Sequence, residues 1–87
     1  MDIYIVERGY EYEQADILYV TDIYDDAKNM VEQLITHFKS KRRSIPNYDF
    51  IETHTNHWHE SRGSMYLSIS SYKLGDKTDL NEMYFNE

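Results

Sequence analysis

The chain has 87 residues, no cysteine, a single proline and a formal net charge of -7. That length offers room for one core, so residues 1–87 are expected to form one domain, and the lack of cysteine excludes disulfides and thiolate metal sites. No apolar run approaches the ~20 residues that span a bilayer, and the surplus of carboxylates argues against direct nucleic-acid binding, which needs Lys and Arg to neutralise phosphates.

Asp2 to about Tyr12 is predicted as a first strand, with β-branched and aromatic residues at Ile3, Tyr4, Ile5, Val6, Tyr10 and Tyr12. Gly9 marks a bulge or bend within it. Glu13, Gln14, Ala15 and Asp16 make a polar turn, and Ile17 to Tyr24 forms a second strand. Strict alternation would put Ile17, Tyr19, Thr21 and Ile23 on one face, with Leu18, Val20, Asp22 and Tyr24 on the other. These two strands are expected to pair as an antiparallel hairpin.

A helix is predicted from about Asp25 to Arg43. Asp25 is placed as its N-cap, and Asp26 adds negative charge where the helix dipole favours it. Ala27, Met30, Val31, Leu34, Ile35 and Phe38 recur with helical period and form one apolar stripe. Lys39, Lys41, Arg42 and Arg43 bring cations to the negative pole, and Ile45-Pro46-Asn47 breaks the helix.

Tyr48 to His59 is predicted as a third strand, Ser61-Arg62-Gly63-Ser64 as a turn with Gly63 at positive φ, and Met65 to Leu74 as a fourth strand ended by Gly75-Asp76. In residues 76–87, Leu80, Met83, Tyr84 and Phe85 fall at roughly helical spacing, which suits either a short C-terminal helix or a loosely ordered tail. The expected fold is therefore α+β: a four-stranded antiparallel sheet covered by one amphipathic helix, in the order β-β-α-β-β.

Four constellations bear on chemistry. His54, His57 and His59 surround Trp58; on one strand His57 and His59 point to the same side, where neutral imidazoles can share a divalent metal, while His54 points to the other unless the strand is bulged. Glu7, Glu11 and Glu13 recur with period two, as an acid–base pair would. No Ser-His-Asp spacing, glycine-rich phosphate loop or HExxH motif accompanies them, so they read as a solvated face and no catalysis or cofactor is expected. Lys39, Lys41, Arg42 and Arg43 hold four of the nine bases, and they read first as helix-end cations and second as a contact patch. The fourth is the acidic, Tyr-rich surface. Between Met1 and Asp26 eight carboxylates and five tyrosines face a single base, Arg8. Carboxylates set along strands and turns can occupy the basic groove of a nucleic-acid-binding protein, with tyrosines as rigid anchors. Glu7, Tyr10, Glu11, Tyr12, Glu13, Asp16 and Asp22 are the residues assigned to that contact.

The opening Ile3-Tyr-Ile-Val-Glu-Arg-Gly-Tyr-Glu-Tyr-Glu13, followed by Asp22-Ile-Tyr-Asp-Asp-Ala27 entering a helix, resembles a family of small uncharacterised phage and bacterial proteins. The resemblance covers about the first third of the chain and transfers no catalytic residue. It implies a phage or mobile-element origin, and by class analogy an inhibitor of a host defence protein such as a nuclease or a CRISPR effector, acting in the host cytoplasm. Other expectations are a homo-oligomer or adapter pairing through strand edges or the open sheet face, and a small His-cluster metal protein.

Overall fold

A computed structural model of the chain describes residues 1–73. It is an α+β fold with β1 (Asp2–Tyr10), β2 (Asp16–Thr21), α1 (Tyr24–Lys41), β3 (Phe50–His54), β4 (His57–Glu60) and β5 (Met65–Lys73). The sheet is antiparallel throughout, with strand order β2-β1-β5-β4-β3. The expectation of four strands is corrected to five. The segment from Tyr48 to His59 does not run as one strand, because Asn56 adopts φ 61 and folds it into a tight hairpin that sets His54 opposite His57. Asparagine tolerates that left-handed conformation better than other non-glycine residues, so no glycine was needed to mark the turn. The tail with Leu80, Met83, Tyr84 and Phe85, like Leu74 and Gly75-Asp76, lies outside the described residues.

β1 and β5 form the centre. Nine residue pairs run in unbroken register from Asp2 opposite Lys73 to Tyr10 opposite Met65. Gly9 therefore sits in a regular ladder and not in a bulge. The irregularity falls on the other side of β1, where Val6 pairs with Tyr19 while its neighbour Glu7 pairs with Ile17, leaving Leu18 as the extra residue. Leu18 and Tyr19 both pack toward the core as a result. Ile17 and Tyr19 thus lie on opposite faces, against the simple alternation expected of β2, because a bulge resets the period of two.

α1 covers one face of the sheet. Its stripe behaves as the periodicity requires: Ala27 and Val31 are buried, and Met30, Leu34, Ile35 and Phe38 pack against the core. They meet Val6, Phe50, Trp58, Met65, Leu67 and Ile69 from the sheet, with Tyr48 from the loop. Each fully buried aliphatic such as Val6 or Leu67 contributes about 1.5–3 kcal/mol of burial free energy. The N-cap is Ile23 and not Asp25; Ile23 is extended and offers no side-chain cap, and its carbonyl accepts from the Asp26 and Ala27 amides at 3.1 and 3.3 Å. Asp25 and Asp26 both lie in the first turn, where the dipole favours them. The helix ends at Lys41, before the Ile45-Pro46 break, and the chain turns through Asn47 at φ 58.

One buried carboxylate ties the far end together. Glu60 is 5% exposed. It accepts from the Tyr48 hydroxyl, from Arg42 at 3.3 Å and from the Met65 amide at 2.9 Å. Burial, then the hydrogen bond to Glu60, pushes the Tyr48 phenol up to about 12. Gly63 takes φ 138 as expected, and a Cβ at that position would collide with the Glu60 carboxylate. Among the described residues no helix is long and apolar enough to cross a membrane.

Candidate functional site

With the helix on the Val6 side, alternation puts Ile3, Ile5, Glu7 and Gly9 of β1 on the opposite face of the sheet, which no helix among the described residues covers. Their partners share it, since directly opposed residues of an antiparallel ladder project to the same side. Ile3 meets Tyr72, Ile5 meets Ser70 and Val20, Glu7 meets Ser68 and Ile17, and Gly9 meets Tyr66. Across β5 the row continues to His57 and His59, then to His54 and Ile51 on β3. Four large side chains here stand more than half exposed: Ile17, Val20, Ile51 and Tyr72.

An aromatic stack crosses one end of this face. The His54 and His57 rings lie parallel with centroids 4.4 Å apart, and His57 stacks on Tyr66 at 4.7 Å. The Tyr66 ring in turn lies so close over Gly9 that a Cβ there would overlap it. Only glycine admits that approach. All three histidines share the open face: the register shift between Glu52 and His54, the bulge on which the expectation for His54 turned, sets His54 opposite His57 and brings it to the side it would otherwise leave. They do not converge on a point, however. Two rings meet flat instead of aiming their nitrogens together, and His59 is occupied elsewhere. Its Nδ1 donates to the Glu60 carbonyl at 2.7 Å, and its Nε2 lies 3.4 Å from Glu11 Oε1. Among the described residues no group of three or more His, Asp or Glu is placed to hold a metal. Burial, followed by the nearby His54 and His59, lowers the pKa of His57, which favours the neutral ring that stacking needs.

The residues assigned to the acidic contact are spread over both faces and both ends of the β1–β2 hairpin. Glu7 is on the open face, half-buried, and accepts from the Ser70 hydroxyl at 3.1 Å. Glu11, Tyr12 and Glu13 are exposed in the β1–β2 turn, with Tyr12 wholly outside at φ 71. Asp16 faces the helix side and pairs with Arg8 at 3.3 Å. Asp22 is exposed at the other end of β2, beside Asp25 and Asp26. Tyr10 is half-buried against the core, as are Tyr4, Tyr19 and Tyr24. Four of the five N-terminal tyrosines are thus packed against the core, and only Tyr12 is fully exposed. Tyr4 packs edge-on to Tyr24, whose hydroxyl reaches Asn56 Oδ1 at 2.5 Å.

The basic cluster is partly committed to the fold. Lys39 pairs with Asp49 at 3.3 Å, and Arg42 holds Glu60 while lying over the Tyr48 ring. A shallow depression along α1 is lined by Asn29, Glu32, Gln33 and Thr36, all exposed side chains. What sequence reasoning missed is the aliphatic part of the open face: Ile17 and Val20 fall there together only because of the bulge at Leu18. The face offers shape, stacking and aliphatic contact, with carboxylates at its margin. No family model, curated protein or solved structure matches this chain.

Proposed function

We propose that this chain is a non-enzymatic protein-binding module that engages a basic, nucleic-acid-binding protein and blocks it. It would be an inhibitor of the kind phages direct at host nucleases or CRISPR effectors, working in the host cytoplasm. The observation that supports this reading is the placement of exposed carboxylates at the two ends of the sheet face that no helix among the described residues covers, with exposed Ile17, Val20, Ile51 and Tyr72 between them. Glu11 and Glu13 stand in one turn, and Asp22, Asp25 and Asp26 at the opposite end. Apolar contact supplies affinity at the centre of an interface, and a charged rim supplies steering and partner choice. Carboxylates in that rim suit a surface built of Lys and Arg. Tyr12, fully exposed between Glu11 and Glu13, is the natural anchor.

The test is capture from a host lysate on the immobilised chain, with proteins identified after elution at rising salt. Nucleic-acid-binding proteins are expected to elute early, and the Glu11→Lys/Glu13→Lys double variant is expected to lose them. An unchanged capture profile for that variant would refute the reading. The exposure of Ile17, Val20, Ile51 and Tyr72 favours one second reading, a homo-oligomer or adapter that covers this face with another copy. Light scattering showing only monomer at high micromolar concentration would exclude it.

A further inference from the structure

β2 lies at the edge of the sheet, and no strand among the described residues pairs with its outer side. Its amides and carbonyls there form a template for another strand. Natural edges are normally guarded by a lysine, a proline, a bulge or an inward charge; β2 carries Asp16 at its start and a bulge at Leu18, but Ile17-Leu18-Tyr19-Val20-Thr21 itself holds no charge and no proline. The opposite edge, β3, is one residue shorter, carries Glu52 and His54, and breaks its register between them. Of the two edges, β2 is the one left open to pairing. On its open face Ile17 and Val20 stand 62% and 53% exposed, ready to pack on side chains of an added strand.

We propose that β2 is the docking edge of this protein: it accepts an extended segment of its partner as a sixth, antiparallel or parallel strand. That segment would carry aliphatic residues on one face and Lys or Arg at both ends. This inference rests on the reading of a basic partner and states how that partner is held. Charge decides the occupant. From Glu11 to Asp26 there are six carboxylates and no base, with Asp16 and Asp22 bounding the edge itself. A second copy would bring the same acids to the same place, on a chain already at -7. It would also have to set the Leu18 bulge against its own image. A basic strand escapes the charge conflict and has a single bulge, that of β2, to follow. Ladder hydrogen bonds would give affinity, and the alternate side chains against Ile17 and Val20 would give selectivity.

The probe is a short fluorescent peptide of alternating Val and Thr between Lys-Arg ends, titrated by anisotropy into the full chain. A second peptide has the same charges, with proline interrupting the alternation. The first is expected to bind at least about tenfold more tightly than the second, and Val20→Lys or Ile17→Lys to weaken it by about tenfold. Hydrogen exchange should slow in β2 only when the first peptide is bound. Equal binding of the two peptides, or no binding, would overturn the proposal. So would protection, in the free chain, of the β2 amides that point away from β1, since a second copy or another segment of the chain would then hold the edge. If these peptides fail while lysate capture still depends on Glu11 and Glu13, the basic partner stands and the docking edge falls.

Discussion

At the scale of single residues, the most consequential side chain outside the open face is Glu60, the only buried charged residue among those described. Its partners come from the helix end (Arg42), the following loop (Tyr48) and the start of β5 (Met65), so one carboxylate registers three segments. The Tyr48 phenol, raised to about 12 from 10.0, makes this network sensitive to alkali. The folded form holds the proton more tightly than the unfolded chain. Its contribution is therefore fully present below pH 10.0 and is lost as pH rises through about 12. Urea midpoints measured across that window should fall more steeply for the natural chain than for Tyr48→Phe. The variant should also be less stable at pH 8, by about 1–3 kcal/mol, because Glu60 loses a donor while buried. Parallel curves would show that Tyr48 does not couple to folding. None of this was legible in the sequence. Glu60 sits in a run of polar and aromatic residues that reads as a solvated strand end, and only the register of β3 on β4 reveals that it points inward, opposite Phe50.

At the scale of elements, local signals held where one period governs and failed where the chain changes period within an element. α1 was readable because six apolar residues keep helical spacing over about three turns. β5 was readable from the alternation of Met65, Leu67 and Ile69, all buried, with half-buried Tyr66, Ser68 and Ser70. β2 was misread in its facing because one extra residue at Leu18 inverts every assignment on one side of it. The β3–β4 hairpin was missed because Asn56 turns the chain without a glycine. Gly9 was noticed for the wrong reason: it relieves no bend and instead makes room for the Tyr66 ring. Gly9→Ala should therefore displace Tyr66, break its stacking on His57, and cost about 1–3 kcal/mol by overpacking. Chemical shifts of the His54 and His57 rings report the stack directly. A stable Gly9→Ala variant with unmoved imidazole resonances would show that the contact is not tight.

At the scale of the whole molecule, the charge of -7 opposes compaction, while the few ion pairs described are partly or largely exposed. Exposed pairs contribute little, commonly about 0–1 kcal/mol. Repulsion among carboxylates should dominate, and it is screened over a Debye length of about 10 Å at 0.1 M salt. The thermal midpoint is accordingly expected to rise between low salt and 0.15 M sodium chloride. A fall would mean that ion pairs such as Arg42–Glu60 outweigh the repulsion. The acidity was legible from composition alone, but its distribution was not. Sequence order places Glu7 through Asp22 in one run, and the hairpin then divides them between two faces and two ends.

The central pairing of β1 with β5 also has a consequence in time. Asp2 meets Lys73, so β1 can pair on one side with β2 soon after it is made, but its other side stays empty until β5 has followed. Pairing across so much intervening chain is slow to nucleate, and strands waiting for partners are exposed to aggregation. During that wait the nascent N-terminal third, with its apolar Ile3-Tyr4-Ile5-Val6 run, is kept apart from its neighbours by its own carboxylates. The acidic sequence that costs the finished fold some stability would in this way protect the unfinished one.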